Sequence, residues 1–251
     1  MENYFDILKW DSSFFGLKVS NINAKILDNI EFDNILNELK NQEVKLGYYS
    51  SVSPLNINQF SSDLYEIFPV DKKITYFKNI EENSPSNQKI FKYEENYPND
   101  KLINLAIQSG IYSRFNIDKK IGRIKFEELY KEWIIKSVSK ILATEVLVYR
   151  DNDVIEGFVT LGEKLGVADI GIIAVDEYSR GKGIGKKLMA SAENWFAINH
   201  YNQIQVVTQG DNLPACKLYE ACGFNINKVE YFYHFWRKES DTVSELNFKD
   251  E

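Results

Sequence analysis

The sequence predicts an α+β fold for its second half, preceded by a smaller α/β part. Three observations lead to this prediction. Apolar residues that alternate with polar ones indicate strands, and apolar residues at three- and four-residue steps indicate helices. The stretch RGKGIGKKLM, residues 180–189, places three glycines at alternate positions directly before one such helix. A polar, turn-rich stretch over residues 79–100 divides the chain into two segments.

The first segment reads as alternating strands with one helix near residues 31–41. Four of the five prolines fall in the first hundred residues, at positions 54, 69, 85 and 98. Because proline and polar clusters mark turns, we interpret residues 79–100 as a loop or a domain joint. The sequence therefore predicts a smaller N-terminal α/β domain over residues 1–100 and a second domain over residues 101–251.

Two helices follow the joint, at residues 101–109 and 126–141. In the second of these, Phe126, Leu129, Trp133 and Ile134 recur at helical spacing.

The pattern then changes to short strands and helices. TEVLVYR and VIEGFVTL predict a β-hairpin whose turn is Asp151-Asn152-Asp153. VADIGIIAV is the next strand, and residues 183–199 form an amphipathic helix. QIQVVT is a strand, residues 214–222 are a short helix closed by Gly223, and KVEYFYHFW is a final strand.

Composition and charge exclude several classes of function. The chain has 251 residues, a formal net charge of −7, 44% hydrophobic and 27% charged residues. An acidic protein argues against a broad nucleic-acid footprint. Cys216 and Cys222 lie on different faces of one predicted helix, so no disulfide is expected, and with two histidines no zinc site is expected. The amino terminus lacks the apolar run of a signal peptide and the sequence has no 18-residue apolar segment, so we expect a cytoplasmic protein with no membrane insertion.

The three glycines of the loop leave its backbone accessible, so the loop is a candidate binding site. Loops before helices bind phosphates, since the first helical N–H groups lack intrahelical partners and carry partial positive charge. A P-loop is excluded, because only three residues separate Gly181 from Gly185 and Lys187 stands where a hydroxyl is required. The dinucleotide pattern also fails, since its third glycine would fall on Lys186 or Leu188. A loop that only turns the chain is the alternative.

What fits is Arg-x-x-Gly-x-Gly, residues 180–185, after an apolar strand, followed by DNLPACKLYEACGF at residues 211–224. Together these resemble the GCN5-related N-acetyltransferase (GNAT) superfamily. The resemblance implies a central mixed sheet flanked by helices, with acetyl-CoA as co-substrate and no metal. It also implies that the strand binds the pantetheine arm and the loop amides bind the pyrophosphate. The implied cofactor-binding residues are Ile172, Ile173, Ala174, Val175, Arg180, Gly181, Lys182, Gly183, Ile184, Gly185, Lys186, Asn212 and Ala215.

Three further stretches are similar to one GNAT subgroup, the TDP-fucosamine acetyltransferases. They are LKWDSSFFGLKV near the start, SGIYSRFNID at 109–118, and FEELYKEWIIKSVS at 126–139. The similarity is weak through residues 30–100. It implies a nucleotide-linked amino-dideoxy sugar as acceptor, a role in surface glycan biosynthesis, and a homodimer. It also implies that residues 101–251 are the acetyl-CoA-binding catalytic domain and that residues 1–100 are a degenerate domain contributing to the sugar-nucleotide site.

Basic and aromatic residues supply candidates for binding such a substrate. Arg114 and Arg123 fall among Lys119, Lys120 and Lys125, and this cluster is a candidate for holding a diphosphate. Phe14, Phe15 and Tyr112, together with Phe115, are candidates for stacking on a base. The alternatives are a solvated charged face and ordinary core aromatics.

For catalysis, the resemblance implies Tyr219 as the general acid that protonates the departing thiolate. A tyrosine packed on Phe224 is the alternative. The backbone N–H groups around residues 173–175 are expected to polarise the thioester carbonyl. Asn212 is expected to bond pantetheine amides, with a helix cap as the alternative. No general base is evident, and Glu156 and Asp169 are weak candidates.

Two rival functions remain open. One is a GNAT enzyme that acetylates a peptide N-terminus or a small amine such as an antibiotic. The other is a regulatory domain that binds acetyl-CoA without chemistry, although the intact loop and Tyr219 argue against it.

Overall fold

The computed structural model describes residues 4–24, 29–80 and 87–239. The chain divides into two compact units, unit 1 of residues 1–69 with 233–251, and unit 2 of residues 70–232. The sequence-based boundary at residue 100 differs from this division. Residues 73–79, before the predicted joint, pair in register with residues 203–209 and so belong to the sheet of unit 2. Residues 81–86 of the predicted joint lie outside the described residues.

Unit 1 is a small α/β unit. Its elements are β1 (Phe5–Ile7), α1 (Lys9–Phe15), β2 (Val19–Ile22), α2 (Asn29–Asn41) and β3 (Leu46–Ser51). Strand β1 is antiparallel to β2, and β2 is parallel to β3. The helix predicted at 31–41 is confirmed as α2. It buries Ile35, Leu36 and Leu39, the apolar positions spaced for one helical face.

Unit 2 holds most of the strands and helices. They are β4 (Tyr65–Asn79), β5 (Ile90–Lys92), α3 (Asp100–Ser109), α4 (Arg114–Ile117), α5 (Arg123–Val138), β6 (Glu145–Asp151), β7 (Val154–Lys164), β8 (Val167–Val175), α6 (Ile184–Ile198), β9 (Gln203–Gln209), α7 (Leu213–Ala221) and β10 (Asn225–Arg237). Strands β4 and β10 each contain one of the points at which the chain is divided. The strand order β4-β9-β8-β7-β6-β5 is antiparallel except between β8 and β9, which are parallel.

Helices cover both faces of this sheet. Alternate residues of β6 point to opposite faces, as a pleated strand requires. Val146 and Val148 join the apolar cluster that contains residues of α3 and α5. Leu147 and Tyr149 join the cluster that contains residues of α6 and α7. We call these the α3/α5 face and the α6/α7 face. The predicted mixed sheet flanked by helices is confirmed.

Local signals set the predicted turns and caps. Asn152 and Asp153 have φ values of 47° and 65°, the left-handed pair that a tight hairpin turn between β6 and β7 requires. The Asn99 side chain caps α3 by accepting from the Leu102 N–H at 2.9 Å. Cys216 and Cys222 are both free thiols, as expected.

Candidate active site

The sheet of unit 2 opens between β8 and β9. Parallel pairing joins Ala168–Ile170 to Ile204–Val206 and goes no further. Beyond this point, residues 171–175 and 207–209 line a cleft of about 490 Å³. The backbone groups of β8 that would face β9 are therefore available to a ligand, because a buried strand must otherwise satisfy them within the sheet.

The cleft gathers most of the residues that the GNAT resemblance implied. Its lining contains Ile172, Ile173, Ala174, Val175, Arg180, Gly181, Gly183, Ile184, Gly185, Lys186, Asn212, Ala215 and Tyr219. Lys182 lies outside the lining. Its ammonium is 3.4 Å from the Ser179 hydroxyl and 3.6 Å from the Glu156 carboxylate, so it holds the base of the loop. The ligand roles of these residues stay predictions.

The three glycines of the loop serve two physical purposes. Gly181 and Gly183 have φ values of 79° and 76°, which L side chains rarely adopt, and nothing lies within 4 Å of an added Cβ at either. Gly185 instead allows close packing, since its Cβ would stand 3.0 Å from Leu218 Cδ2. Gly183 is also the N-cap of α6, whose first N–H groups therefore point to the cleft rim. A diphosphate fits this site, because helix N-termini attract anions.

Tyr219 lies at the buried end of the cleft. Its side chain is 3% exposed, and its ring centroid lies 5.6 Å from Tyr76 and 6.3 Å from Phe224. The predicted packing on Phe224 and the position in the cleft lining are thus both observed. Burial, together with the nearby Cys216 and Cys222, raises the pKa of the Tyr219 phenol, so the phenol keeps its proton at neutral pH.

Asn212 caps a helix. Its side-chain oxygen accepts from the Ala215 N–H at 3.3 Å at the start of α7. The cap role, which the sequence left as an alternative, is therefore present, and Asn212 also faces the cleft. Arg180 donates through Nε to the Val175 carbonyl at 3.2 Å, joining the glycine loop to the end of β8.

A β-bulge lies in β8, the strand that opens, because Gly171 and Ile172 together lie opposite Thr160 of β7. The register between β7 and β8 shifts between Val159 and Leu161, and the intervening Thr160 accepts from the Ile172 N–H through its hydroxyl at 2.8 Å. Bulges bend a strand and re-aim its neighbours. The sequence analysis missed Thr160, and a polar residue in the apolar run VIEGFVTL was the available signal.

The other wall of the cleft comes from α3, α5 and the segment between them. Gln108, Tyr112, Tyr130 and Trp133 line it. Of these, only Tyr112 was among the predicted substrate-binding residues. The ring of Tyr130 lies where a Cβ on Gly110 would stand, at 2.2 Å, which explains the glycine at that turn. The Gln108 Oε1 atom is buried and has no hydrogen-bond partner in the part of the chain that the structure describes.

The basic cluster does not form one pocket. Arg123 pairs with Glu127 at 2.6 Å and Lys125 with Glu128 at 2.9 Å along α5. Arg114 instead stacks its guanidinium over the ring of Phe232 at 4.8 Å. Arg123 and Lys125 therefore form a solvated helix face, the alternative that the sequence left open.

The predicted aromatic residues fall in both units. In unit 1, Phe14 stacks on Trp10 with centroids 5.1 Å apart, and Phe15 meets Phe14 edge-on at 5.0 Å. Trp10 is 40% exposed, so this stack reaches the surface of unit 1. In unit 2, Phe115 is buried against Trp133. Base stacking by these residues stays a prediction.

Neither predicted general base lines the cleft. Glu156 accepts from the Ser179 hydroxyl at 2.7 Å beneath the glycine loop. Asp169 lies in the paired part of β8, opposite Gln205. Burial raises its pKa against the opposing effects of Lys164 and Gln205. The two carboxylates thus support the loop and the strand pairing.

Part of the chain matches a known protein family. Residues 111–224 match the model of the acetyltransferase (GNAT) family. These residues, a little under half of the chain, form a GNAT domain. The matched range runs from the wall of the cleft before α4 to the end of α7. It therefore contains both sequence motifs, including the glycine loop, and the ends of β8 and β9 that line the cleft.

Three curated relatives resemble the GNAT domain over part of their length. Streptothricin acetyltransferase of Escherichia coli is 34% identical over 73 residues, covering 29% of this chain and 42% of that protein. A spore coat polysaccharide biosynthesis protein of Bacillus subtilis is 25% identical over 137 residues, covering 55% and 47%. The dTDP-fucosamine acetyltransferase of Escherichia coli is 32% identical over 108 residues, covering 42% and 45%. The matches thus span less than half of each relative.

A solved structure matches nearly the whole chain. A conserved protein of unknown function from Staphylococcus epidermidis superposes with a TM-score of 0.62 at 13% identity, covering 95% of this chain and 93% of that one. At this identity the match shows the fold alone. Among the described residues, no helix has the length and apolar character to cross a membrane. The same residues bring together no set of three or more His, Cys, Asp or Glu side chains suited to a metal ion.

Proposed function

We propose that this protein is an N-acetyltransferase that moves an acetyl group from acetyl-CoA to the amino group of a nucleotide-linked amino-dideoxy sugar. A TDP-4-amino-4,6-dideoxyhexose is the proposed acceptor, and surface glycan biosynthesis the proposed role. Cytoplasmic location and a homodimeric state belong to the same proposal.

The observation that carries the proposal is the opening between β8 and β9 beside the head of α6. It joins free strand edges, which suit the amides of a pantetheine arm, to a glycine-lined helix N-terminus, which suits a diphosphate. The residues present therefore fit coenzyme A. When bound, acetyl-CoA supplies an acetyl thioester, an acyl donor that a neutral amine attacks.

The protein's own groups then have distinct tasks. The N–H groups at the end of β8 bind and polarise a carbonyl oxygen, since such donors are fixed before reaction and cost no reorganisation. The buried phenol of Tyr219 holds a proton at neutral pH, available for a departing thiolate whose thiol has a pKa of about 8.5. The walls from α3 and α5 exclude water and present Gln108 and Tyr130 to the acceptor.

The choice of acceptor rests on different support. Two of the three relatives above are named for polysaccharide biosynthesis or for acetylation of a nucleotide sugar. Aromatic side chains line the acceptor wall at Tyr112, Tyr130 and Trp133, and flat rings suit sugar faces and bases. The alternative of a small-amine acceptor draws support from the streptothricin relative, and a peptide N-terminus is a further alternative.

The test is thiol release from acetyl-CoA in the presence of a panel of acceptors. The panel contains TDP- and UDP-linked 3-amino and 4-amino sugars, streptothricin, a polyamine and a short peptide. We expect turnover with at least one nucleotide amino sugar at a kcat/KM at least tenfold above every other acceptor. Turnover only with streptothricin, polyamine or peptide would replace the sugar by that acceptor. Binding of acetyl-CoA without turnover of any acceptor would support the alternative of a regulatory domain that binds acetyl-CoA without chemistry.

A further inference from the structure

Asp71 lies near Tyr130 of the cleft wall, although it is not itself among the residues that line the cleft. The N–H of Gly210 donates to the Lys72 carbonyl at 2.7 Å, so the chain at Asp71 runs beside the residues that follow β9. Ile74 and Tyr76 belong to the cluster of the α6/α7 face. Because side chains alternate along a strand, Asp71 points to the opposite, α3/α5 face.

Charged and polar groups from four elements act on the Asp71 carboxyl. They are Arg114 of α4, Lys73 of β4, Tyr130 of α5 and Asp211 after β9. Tyr130 lines the cleft, and Asp211 adjoins the cleft residue Asn212. The Asp71 Oδ1 atom is buried, and no donor within the described ranges bonds to it. A buried carboxylate oxygen with no donor from the protein can accept a hydrogen bond from a water or a ligand.

The ionisation of Asp71 suits a proton acceptor at neutral pH. Burial raises the pKa of this carboxyl to about 7, with a further rise from Asp211, against the opposing charges of Arg114 and Lys73. A base works best when its pKa lies near the working pH.

We propose that Asp71 accepts the proton that the acceptor amine releases during acetyl transfer. The inference rests on the proposed acetyltransferase function. The amine nitrogen forms a bond to the carbonyl carbon while the carbon–sulfur bond breaks. The thiolate takes the proton of Tyr219, and the surplus proton of the nitrogen passes to Asp71 through a bridging water, because Asp71 does not line the cleft. Solvent then returns both groups to their starting states.

The two groups occupy opposite faces of the sheet. Tyr219 belongs to the cluster of the α6/α7 face, whereas Asp71 points to the α3/α5 face. The amine nitrogen and the leaving sulfur are different substituents of the carbon that is transferred, so separate groups can handle their protons. One proton is therefore released where Asp71 lies, and one is consumed where Tyr219 lies.

The experiment is the pH profile of kcat/KM for the best acceptor of the panel, in wild type, Asp71→Asn and Asp211→Asn. For wild type we expect kcat/KM to rise with pH through about 7, since Asp71 acts in its deprotonated form. Asp71→Asn should lower kcat/KM at pH 7 by roughly 100-fold and move the rising limb toward the pKa of the amine. The melting temperature and the affinity for coenzyme A should stay close to wild type.

Asp211→Asn is the matched control. Asp211 is exposed and carries no role in the transfer, so the variant keeps its maximal rate. Removing its negative charge should lower the pKa of Asp71 and shift the rising limb to lower pH. A merely structural Asp71 would not produce that shift.

The outcomes separate the two proposals. If wild type acetylates no acceptor, the proposed function fails and this inference falls with it. If wild type is active and Asp71→Asn keeps the wild-type profile, the inference fails alone. If Asp71→Asn does not fold, an unmoved limb in Asp211→Asn overturns the inference and a shifted limb supports it.

Discussion

Replacing Gly183 by valine separates backbone strain from ligand binding. Gly183 has φ 76°, and nothing lies within 4 Å of a Cβ built there. The cost to the free protein is therefore conformational rather than steric, about 1–2 kcal/mol for a left-handed L residue. For a chain of this size that corresponds to a fall in melting temperature of roughly 2–8 °C. The branched side chain would also stand at the cleft rim, where the diphosphate of coenzyme A is proposed to bind.

Gly166 provides the control. It lies in the turn between β7 and β8, with φ 80° and nothing within 4 Å of its Cβ position. Gly166→Val should thus lose the same stability as Gly183→Val. Titration calorimetry with coenzyme A should show near wild-type affinity for Gly166→Val and at least a tenfold loss for Gly183→Val. Equal affinities in the two equally destabilised variants would refute the placement of the diphosphate at this loop.

Three further substitutions test the site and its support. Tyr219→Phe should lower kcat by roughly 100-fold with little change in melting temperature, because the ring packing is kept. Unchanged turnover would show that Tyr219 serves only in packing. Gly185→Ala places a Cβ 3.0 Å from Leu218 Cδ2, the end of a flexible side chain, and gains about 1 kcal/mol of helix propensity in α6. The free energy of unfolding in urea should therefore fall by less than about 1 kcal/mol, and a loss above about 3 kcal/mol would show that Leu218 does not move aside. Burial of Glu145 opposes ionisation, but its bonds from Lys140 and Lys92 lower its pKa. The stability from this lowered pKa is present above the ordinary pKa and is lost as pH falls through the folded value. Lys140→Met should therefore cost under about 1 kcal/mol at pH 7 and less in acid; an equal loss at both pH values would contradict the pairing.

Much of unit 2 could be predicted because its signals are local. The pair Asn152-Asp153 fixes a hairpin turn, and the spacing of Arg180, Gly181 and Gly183 fixes a loop before a helix. Such features depend on a few neighbouring residues. The same holds for most members of the cleft lining, which lie in two short motifs.

What the sequence did not predict depends on long-range pairing. Asp71 meets Arg114 and Tyr130 only because β4 pairs with β9, more than 120 residues away along the chain. The hydrogen bond from the Ser179 hydroxyl to Glu156 was likewise not predictable, since it joins the turn after β8 to β7. Helix α1 was not predicted, because its seven residues bury no side chain and so lack an apolar period.

The short pairing between β8 and β9 has a dynamic consequence. Three residue pairs join these strands, whereas seven join β4 to β9. Within the sheet of unit 2, β4 and β9 are thus joined to β8 by a short run of backbone hydrogen bonds, which we call the β8/β9 seam. Local opening concentrates where few backbone hydrogen bonds must break. A ligand that bonds to both strand edges would close this seam, so amide hydrogen exchange in residues 204–209 should slow when coenzyme A binds.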